Sequence, residues 1–311
     1  MAKTAGRTEG TGIGSPSGET PRLGAPQLVV GLLVGTLVVA LVSALLAPWI
    51  FAAVEALAPG RYPFQRVFRR VAMLAALIAV VVGLRRAGVR RLADFGLRRA
   101  PDGKRAIWVG VAWGVFAIAA AFGAELALGN RVAAPEALTA TKAASLLAGA
   151  AAIGVIEEAL CRGALLFPFL PLSGVSLVVA NGAVSALYAT AHFLRGGGKP
   201  GAIDAWSGFR LWAELGRAIP DHVEAWIGLF LTGALLYLVA RRQGHVWGAV
   251  GTHAGAVAAL QLLGTATAPA MGRDPLFLVD GLLPGWGLSV LLLGAIGFFA
   301  WRGVRAPAPS E

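Results

Sequence analysis

Three ionisable side chains fall within six residues of an otherwise apolar stretch: Glu157, Glu158 and Arg162, in Gly-Val-Ile-Glu-Glu-Ala-Leu-Cys-Arg-Gly. If the stretch is helical, Glu158 and Arg162 are four apart, share a face and can pair. Glu157 is rotated by about 100° from Glu158 and is free to face another neighbour or a cavity. One carboxylate then has a local counter-ion and the other does not. That asymmetry leaves the acid without a helical counter-ion able to exchange protons, which is what a general base requires. The bland alternative is an ion pair that staples two helices, with Glu157 protonated and bonded to a backbone carbonyl.

Two histidines extend the set. His192 closes a later apolar run, in Ser-Ala-Leu-Tyr-Ala-Thr-Ala-His, and His253 lies in another, in Gly-Ala-Val-Gly-Thr-His-Ala-Gly-Ala-Val. Alone, each histidine is more often a satisfied packing residue than a catalyst. Gly251 and Gly255 flank His253 at a spacing that permits close helix approach. Together the clusters suggest one assembled site: Glu157 or Glu158 with His192 takes a proton from water, and His253 donates to an oxyanion as it forms. No Gly-x-Ser-x-Gly elbow or His-Glu-x-x-His helix is present. Two histidines and two carboxylates could bind zinc, but no close-spaced His pair favours it, so no cofactor or metal is expected. His222 and His245 fall at helix ends, where an interfacial role is expected.

The elements that must position these groups are set by composition. Of 311 residues, 57% are hydrophobic and 14% charged, against about 45–50% apolar and 25% charged in a soluble domain. Mean hydropathy is +0.72. Apolar runs long enough to cross a bilayer recur, and about 20 residues suffice. Eight spanning helices are predicted near 28–57, 67–85, 106–129, 143–168, 173–194, 223–241, 245–263 and 285–301. The fold class is therefore an all-α, polytopic membrane helix bundle. Trp108, Trp226, Trp247, Trp286 and Trp301 near predicted span ends suit the headgroup level. Pro48 is expected to kink the first helix or end it early. Glu157, Glu158 and Arg162 then lie inside a span, where ionisable groups cost at least about 2.5–3.5 kcal/mol and are functional by default.

The net charge of +11 is not a nucleic-acid signal. Arg85, Arg86, Arg90, Arg91, Arg98, Arg99, Lys104 and Arg105 crowd one loop between apolar runs, the mark of a cytoplasmic loop. With that loop inside, both termini are cytoplasmic, and the inside excess of Lys and Arg is modest. Arg66, Arg69 and Arg70 run against it. Residues 1–26 read as a disordered tail without a signal peptide, 27–303 as the bundle, and 304–311 as a C-terminal tail. In the loop 195–222, Trp206, Phe209 and Trp212 recur at three-residue spacing beside Arg210, Glu214 and Arg217. An interfacial helix and an ordinary polar loop both fit. Cys161, the single cysteine, allows no intrachain disulfide and reads as a packing residue.

Glu157-Glu158-x-x-x-Arg162, Tyr188-x-x-x-His192 and then His253 resemble the CAAX protease and bacteriocin-processing family of intramembrane endopeptidases, related to type II CAAX prenyl proteases. The resemblance covers about residues 143–260. Two positions depart from the family's motifs. Tyr188 stands for the usual Phe and adds a hydroxyl needing a partner, and Val257 stands where Asn or Asp follows the last histidine. The resemblance implies a bundle of eight helices, a glutamate general base and no covalent intermediate. It implies an endopeptidase acting on a peptide or membrane-protein substrate in the bilayer, in a bacterial inner membrane given the Ala/Gly/Arg-rich composition. The alternative is a non-catalytic scaffold or bacteriocin-immunity-type protein of the same fold. One expectation is awkward: His192 ends its helix while His253 lies early in one that starts from the opposite face, so their depths should differ.

Overall fold

The computed structural model describes residues 25–86, 96–166, 174–193, 202–273, 275–279 and 283–304. Most of both expected tails, Arg90, Arg91 and residues 194–201 lie outside the described residues, as does the side chain of Trp301. Each apolar run is a helix: α1 Ala25–Leu57, α2 Phe64–Arg86, α3 Gly103–Ala127, α4 Ala140–Glu158, α5 Gly174–His192, α7 Val223–Gln243, α8 Trp247–Ala266 and α9 Trp286–Val304. The loop with spaced tryptophans holds a further helix, α6 Ser207–Asp221. Among the described residues, five helices are long and apolar enough to cross a membrane by themselves: α1, α2, α3, α7, and α4 with its extension to Ala164; α9 is a shorter apolar helix. The protein is an all-α, multi-pass membrane bundle.

Two short antiparallel pairs interrupt the helices. β1 (Arg131–Ala133) pairs with β2 (Thr267–Pro269), and β3 (Leu278–Val279) with β4 (Leu283–Pro284). They lie beyond the ends of α3 and α8 and before α9, where the chain turns. There Glu125, buried at the end of α3, accepts the backbone N–H groups of Phe277 and Leu278 and the amide of Asn130. Arg131 donates to the hydroxyl and the carbonyl of Thr267 and lies over the Phe122 ring.

The helix that matters most for the site is α8, which packs between α3 and α4. Small residues make this possible. A Cβ on Gly251 would lie 2.1 Å from the Ile107 carbonyl oxygen, and one on Gly255 would lie 2.4 Å from that of Val111. On α3, Cβ atoms at Gly110 and Gly114 would meet the α8 backbone at 2.5 and 2.2 Å. The pairs 110/114 and 251/255, each four apart, therefore interlock as backbone against backbone, the close approach that packing between membrane helices exploits. On the other flank Gly154 of α4 faces Ala254 and Val250, with its Cβ position 2.8 Å from the Ala254 methyl. His253 is thus carried on a helix clamped from two sides.

α1 runs through Pro48 to Leu57, so the helix does not end at the proline. Pro48 has no N–H to offer the Ala44 carbonyl four residues back. Gly208 of α6 crosses at that point, where a Cβ would lie 2.3 Å from the Ala44 oxygen. Leu211 joins Ala47, Phe64 and Phe68 in one cluster, and Trp212 donates to the Ser43 hydroxyl at 3.1 Å. α6 is strongly amphipathic, and its apolar side is covered by α1 and α2 and by the end of α5. Trp212, Ala218 and Ile219 pack against the cluster of Tyr188, Ala189, Phe193, Ala225 and Leu229. Of the two readings of 195–222, its second half is a helix.

Candidate active site

Glu157 and Glu158 end α4, and the next turn, Ala159–Ala164, is a single π turn marked by the Leu165 N–H donating to the Leu160 carbonyl five back. Such turns recur at functional sites because they re-aim side chains without breaking the helix. Arg162 lies within it. Its Nη1 donates to Glu158 Oε1 at 2.8 Å, its Nη2 donates to the Gly233 carbonyl of α7 at 2.9 Å, and its guanidinium lies 4.7 Å from the Tyr188 ring centroid. Both members of the pair are essentially inaccessible. Removing either would leave a buried charge alone, at a cost of about 3–5 kcal/mol.

His253 adds a third member to the pair. Its Nδ1 lies 2.8 Å from Glu158 Oε1, so one carboxylate oxygen serves both the arginine and the histidine. An oxygen held by Arg162 acts as acceptor, so Nδ1 carries the proton and donates. In the neutral ring Nε2 is then the acceptor nitrogen. That nitrogen lies 3.8 Å from Glu157 Oε2 and 3.5 Å from the Tyr188 hydroxyl.

His192 reaches the same carboxylate from the other side. Its Nδ1 is 2.8 Å from the Tyr188 carbonyl, which can only accept, so Nδ1 donates and Nε2 again faces inward as acceptor. Nε2 is 3.8 Å from Glu157 Oε2. Both histidines therefore aim Nε2 at one oxygen of Glu157, from distances too long for a direct hydrogen bond. Exposure separates the two acids: the Glu157 side chain is 26% accessible and that of His192 14%, while Glu158 is at 0%.

The difference in depth expected between the histidines resolves geometrically. α5 and α7 are antiparallel, since the start of α7 (Ala225, Leu229) packs on the end of α5. α7 turns directly into α8 through Gly244, left-handed at φ 67°. α5 and α8 thus run in the same direction. From Gly174 to Tyr188 α5 climbs about 21 Å, and from Trp247 to His253 α8 climbs about 9 Å, yet the Tyr188 and His253 rings are 6.0 Å apart. α5 therefore starts well beyond the level at which α8 starts.

The structure brings Glu157, Glu158, Arg162, His192 and His253 into one cluster. His222 stays outside it, between α6 and α7, 4.0 Å from Glu224. His245 also stays outside, but it is buried rather than interfacial, with Nε2 3.3 Å from Asp102. Cys161 packs between two apolar clusters, as a packing residue should. The backbone carbonyl of Gly233 was not legible as part of the site, because nothing in a glycine's side chain signals it. Tyr188 was legible only as a hydroxyl in need of a partner. No group of three or more His, Cys, Asp or Glu is arranged to hold a metal ion among the described residues.

A helical membrane bundle with a cluster of ionisable side chains at its interior, one carboxylate partly exposed and one locked to an arginine, defines the class: a polytopic membrane protein built around a polar side-chain cluster. Residues 139–259 match the model of the Rce1-like family, described as type II CAAX prenyl endopeptidase Rce1-like, which supports a membrane protease of the CAAX type. That segment runs from the start of α4 into α8 and contains all five residues of the cluster. No curated protein and no solved structure matches the chain.

Proposed function

We propose that the protein is a glutamate-dependent intramembrane peptidase in which Glu157 is the general base. The observation that supports this reading most directly is the convergence of two acceptor nitrogens on Oε2 of Glu157, the partly exposed carboxylate of the cluster. Polar groups 3.8 Å apart are at the separation a bridging water spans. A water between Glu157 and His192 donates one O–H to each and keeps a lone pair for a carbonyl carbon. On attack, the water oxygen bonds to that carbon and the carbonyl pair moves onto its oxygen. Glu157 takes the water's proton. Collapse of the intermediate breaks the C–N bond, and Glu157 returns the proton to the leaving nitrogen. Glu158 and Arg162 hold His253 in its tautomer and do not touch the reacting atoms.

The substrate on this reading is a peptide or membrane-protein segment entering from the bilayer, and the Ala/Gly/Arg-rich composition suits a bacterial plasma membrane. No metal takes part. Zinc is the competing chemistry, because Glu157 with the two histidines is a donor set of the right kind.

Glu157→Gln tests the reading. Gln keeps the shape and the hydrogen bonding but cannot take up a proton, and a positioned base contributes about 10²–10⁴-fold to rate. The expected result is a folded variant without detectable cleavage of an internally quenched peptide library by full-length protein in proteoliposomes. Full cleavage by Glu157→Gln, or full biological function without cleavage by the wild type, would favour the scaffold reading. Stoichiometric zinc in unloaded protein would convert the mechanism to a metallopeptidase.

A further inference from the structure

The sequence leaves the oxyanion with His253 as its donor, because Val257 has no polar atom. The tautomer makes that assignment difficult. With Nδ1–H donated to Glu158, the neutral His253 ring has no proton on Nε2, the one nitrogen that faces Glu157. A bare Nε2 repels a developing negative charge. In that state a second donor beside this nitrogen would serve the oxyanion, and one is present.

We propose that the Tyr188 hydroxyl donates the hydrogen bond to the oxyanion, with His253 Nε2 as the acceptor that parks this hydroxyl between turnovers. This rests on the peptidase reading above. The Tyr188 side chain is buried, and its hydroxyl has one hydrogen-bonding neighbour among the described residues, His253 Nε2 at 3.5 Å. That is long for a hydroxyl donor, whose bonds centre near about 2.7–2.8 Å. A hydroxyl held so loosely can turn its proton towards a closer, charged acceptor. His253 Nε2 is also 3.8 Å from Glu157 Oε2, so base and hydroxyl flank the same ring edge. An attacked carbonyl carbon near Glu157 can therefore turn its oxygen towards Tyr188.

The ring itself is fixed from several sides. The Arg162 guanidinium lies over it at 4.7 Å, the His192 ring packs beside it at 4.5 Å, and its backbone carbonyl holds His192 Nδ1. These contacts belong to the ring and the backbone. The hydroxyl takes part in none of them, so packing does not account for it. In the step itself the hydroxyl keeps its proton, shortening a hydrogen bond to the oxygen that receives the carbonyl pair.

The experiment is Tyr188→Phe, which deletes the hydroxyl and leaves the ring contacts. Full-length protein in proteoliposomes is assayed on the peptide that the wild type cleaves best from an internally quenched library, beside Glu157→Gln. The expected result is kcat lower by about 10²–10³-fold, the cost of one oxyanion donor, with KM and thermal midpoint unchanged. A second variant guards against misfolding: 3-fluorotyrosine at 188 keeps the shape but makes the hydroxyl more acidic. It should retain kcat close to wild type, so that the loss in Tyr188→Phe belongs to the missing hydroxyl and not to a disturbed ring. Full kcat in Tyr188→Phe with Glu157→Gln silent overturns the inference alone, as does a loss in the 3-fluorotyrosine variant equal to that in Tyr188→Phe. Cleavage by both variants, or none by the wild type, removes the peptidase reading and the inference with it.

Discussion

Among the described residues two glutamates are wholly inaccessible, Glu158 in the central cluster and Glu125 at the end of α3, and each has an arginine close by in space or sequence. Their surroundings differ in kind. Both Glu125 oxygens are used: Oε1 accepts two backbone N–H groups of the segment before β3, and Oε2 accepts from Asn130. Its arginine is elsewhere, since Arg131 spends its donors on Thr267. At Glu158 a single oxygen accepts from both Arg162 and His253, while Oε2 and the Nε of Arg162 are buried without a hydrogen-bond partner among the described residues. A carboxylate that only staples a loop is fully satisfied. The one that orients the His253 imidazole is left with unmet capacity, and buried unsatisfied polar groups call for an explanation. What separates the two buried acids is who their partners are, not how deep they lie.

The largest test of that contrast is Glu158→Gln. It removes the counter-charge of Arg162 and, in the same step, takes the charge from the acceptor that sets the His253 tautomer. Breaking such a buried pair costs about 3–5 kcal/mol. Low yield and a lower thermal midpoint are expected together with slow cleavage per folded molecule. If Glu158→Gln folds and turns over normally, the pair neither stabilises the bundle nor orients His253, and the contrast fails.

Glu125→Gln should give a smaller loss of a different kind. The amide oxygen can still accept the Phe277 and Leu278 N–H groups, but the charge that strengthens those bonds is gone. A hydrogen bond to a charged group is worth about 1.5–3 kcal/mol, so the thermal midpoint should fall. Cleavage per folded molecule should not change, because the site is held by α4, α5 and α8 and not by the strands. A parallel fall in kcat would show that the two buried acids are coupled.

How much of this could be read from the chain depends on how local each signal is. Apolar runs announced the helices because hydropathy is additive along the sequence, and the pairing of Glu158 with Arg162 followed from their spacing. The rule that flagged those charges, an ionisable group inside an apolar run, applies equally to Glu125, which stands alone in the run from Ala106 to Leu128; applied there it would have found the second acid. Other features had no local signal. Arg131 and Thr267, which hydrogen-bond, are 136 positions apart, so the β1–β2 pair could not be seen. Nor does any residue in Ala159–Ala164 announce a π turn. The gap in depth between His192 and His253 arose from assuming that all helices start level, whereas α5 starts beyond α8. The role of Gly251 and Gly255 needed the other half of the contact, Gly110 and Gly114 on α3, before small residues became a clamp.

The smallest effect should appear at an acid that is neither buried nor in a span. Asp204 precedes α6, where its carboxylate accepts from both terminal nitrogens of Arg210, at 2.7 and 3.1 Å, and from the Trp206 N–H. The hydrogen bonds from Arg210, foremost, hold its carboxyl below the usual aspartate range. A depressed acid stabilises the folded form at any pH above its unfolded value, about 3.9, and loses that contribution as pH falls through the folded value. Acidification from neutrality to about pH 4 should therefore leave the start of α6 intact, and further acidification should loosen it. Because Asp204 and Arg210 are both half exposed, solvent and salt screen the pair, and the change should be confined to the first turn. Hydrogen exchange at Ser207 to Arg210, corrected for intrinsic rate, is the measurement. Asp204→Asn should show weaker protection at neutral pH with little further loss in acid, and no change in thermal midpoint or cleavage. If that substitution instead lowered the midpoint as Glu125→Gln does, an exposed acid would be acting like a buried one, and partner identity would not be the property that sorts these carboxylates.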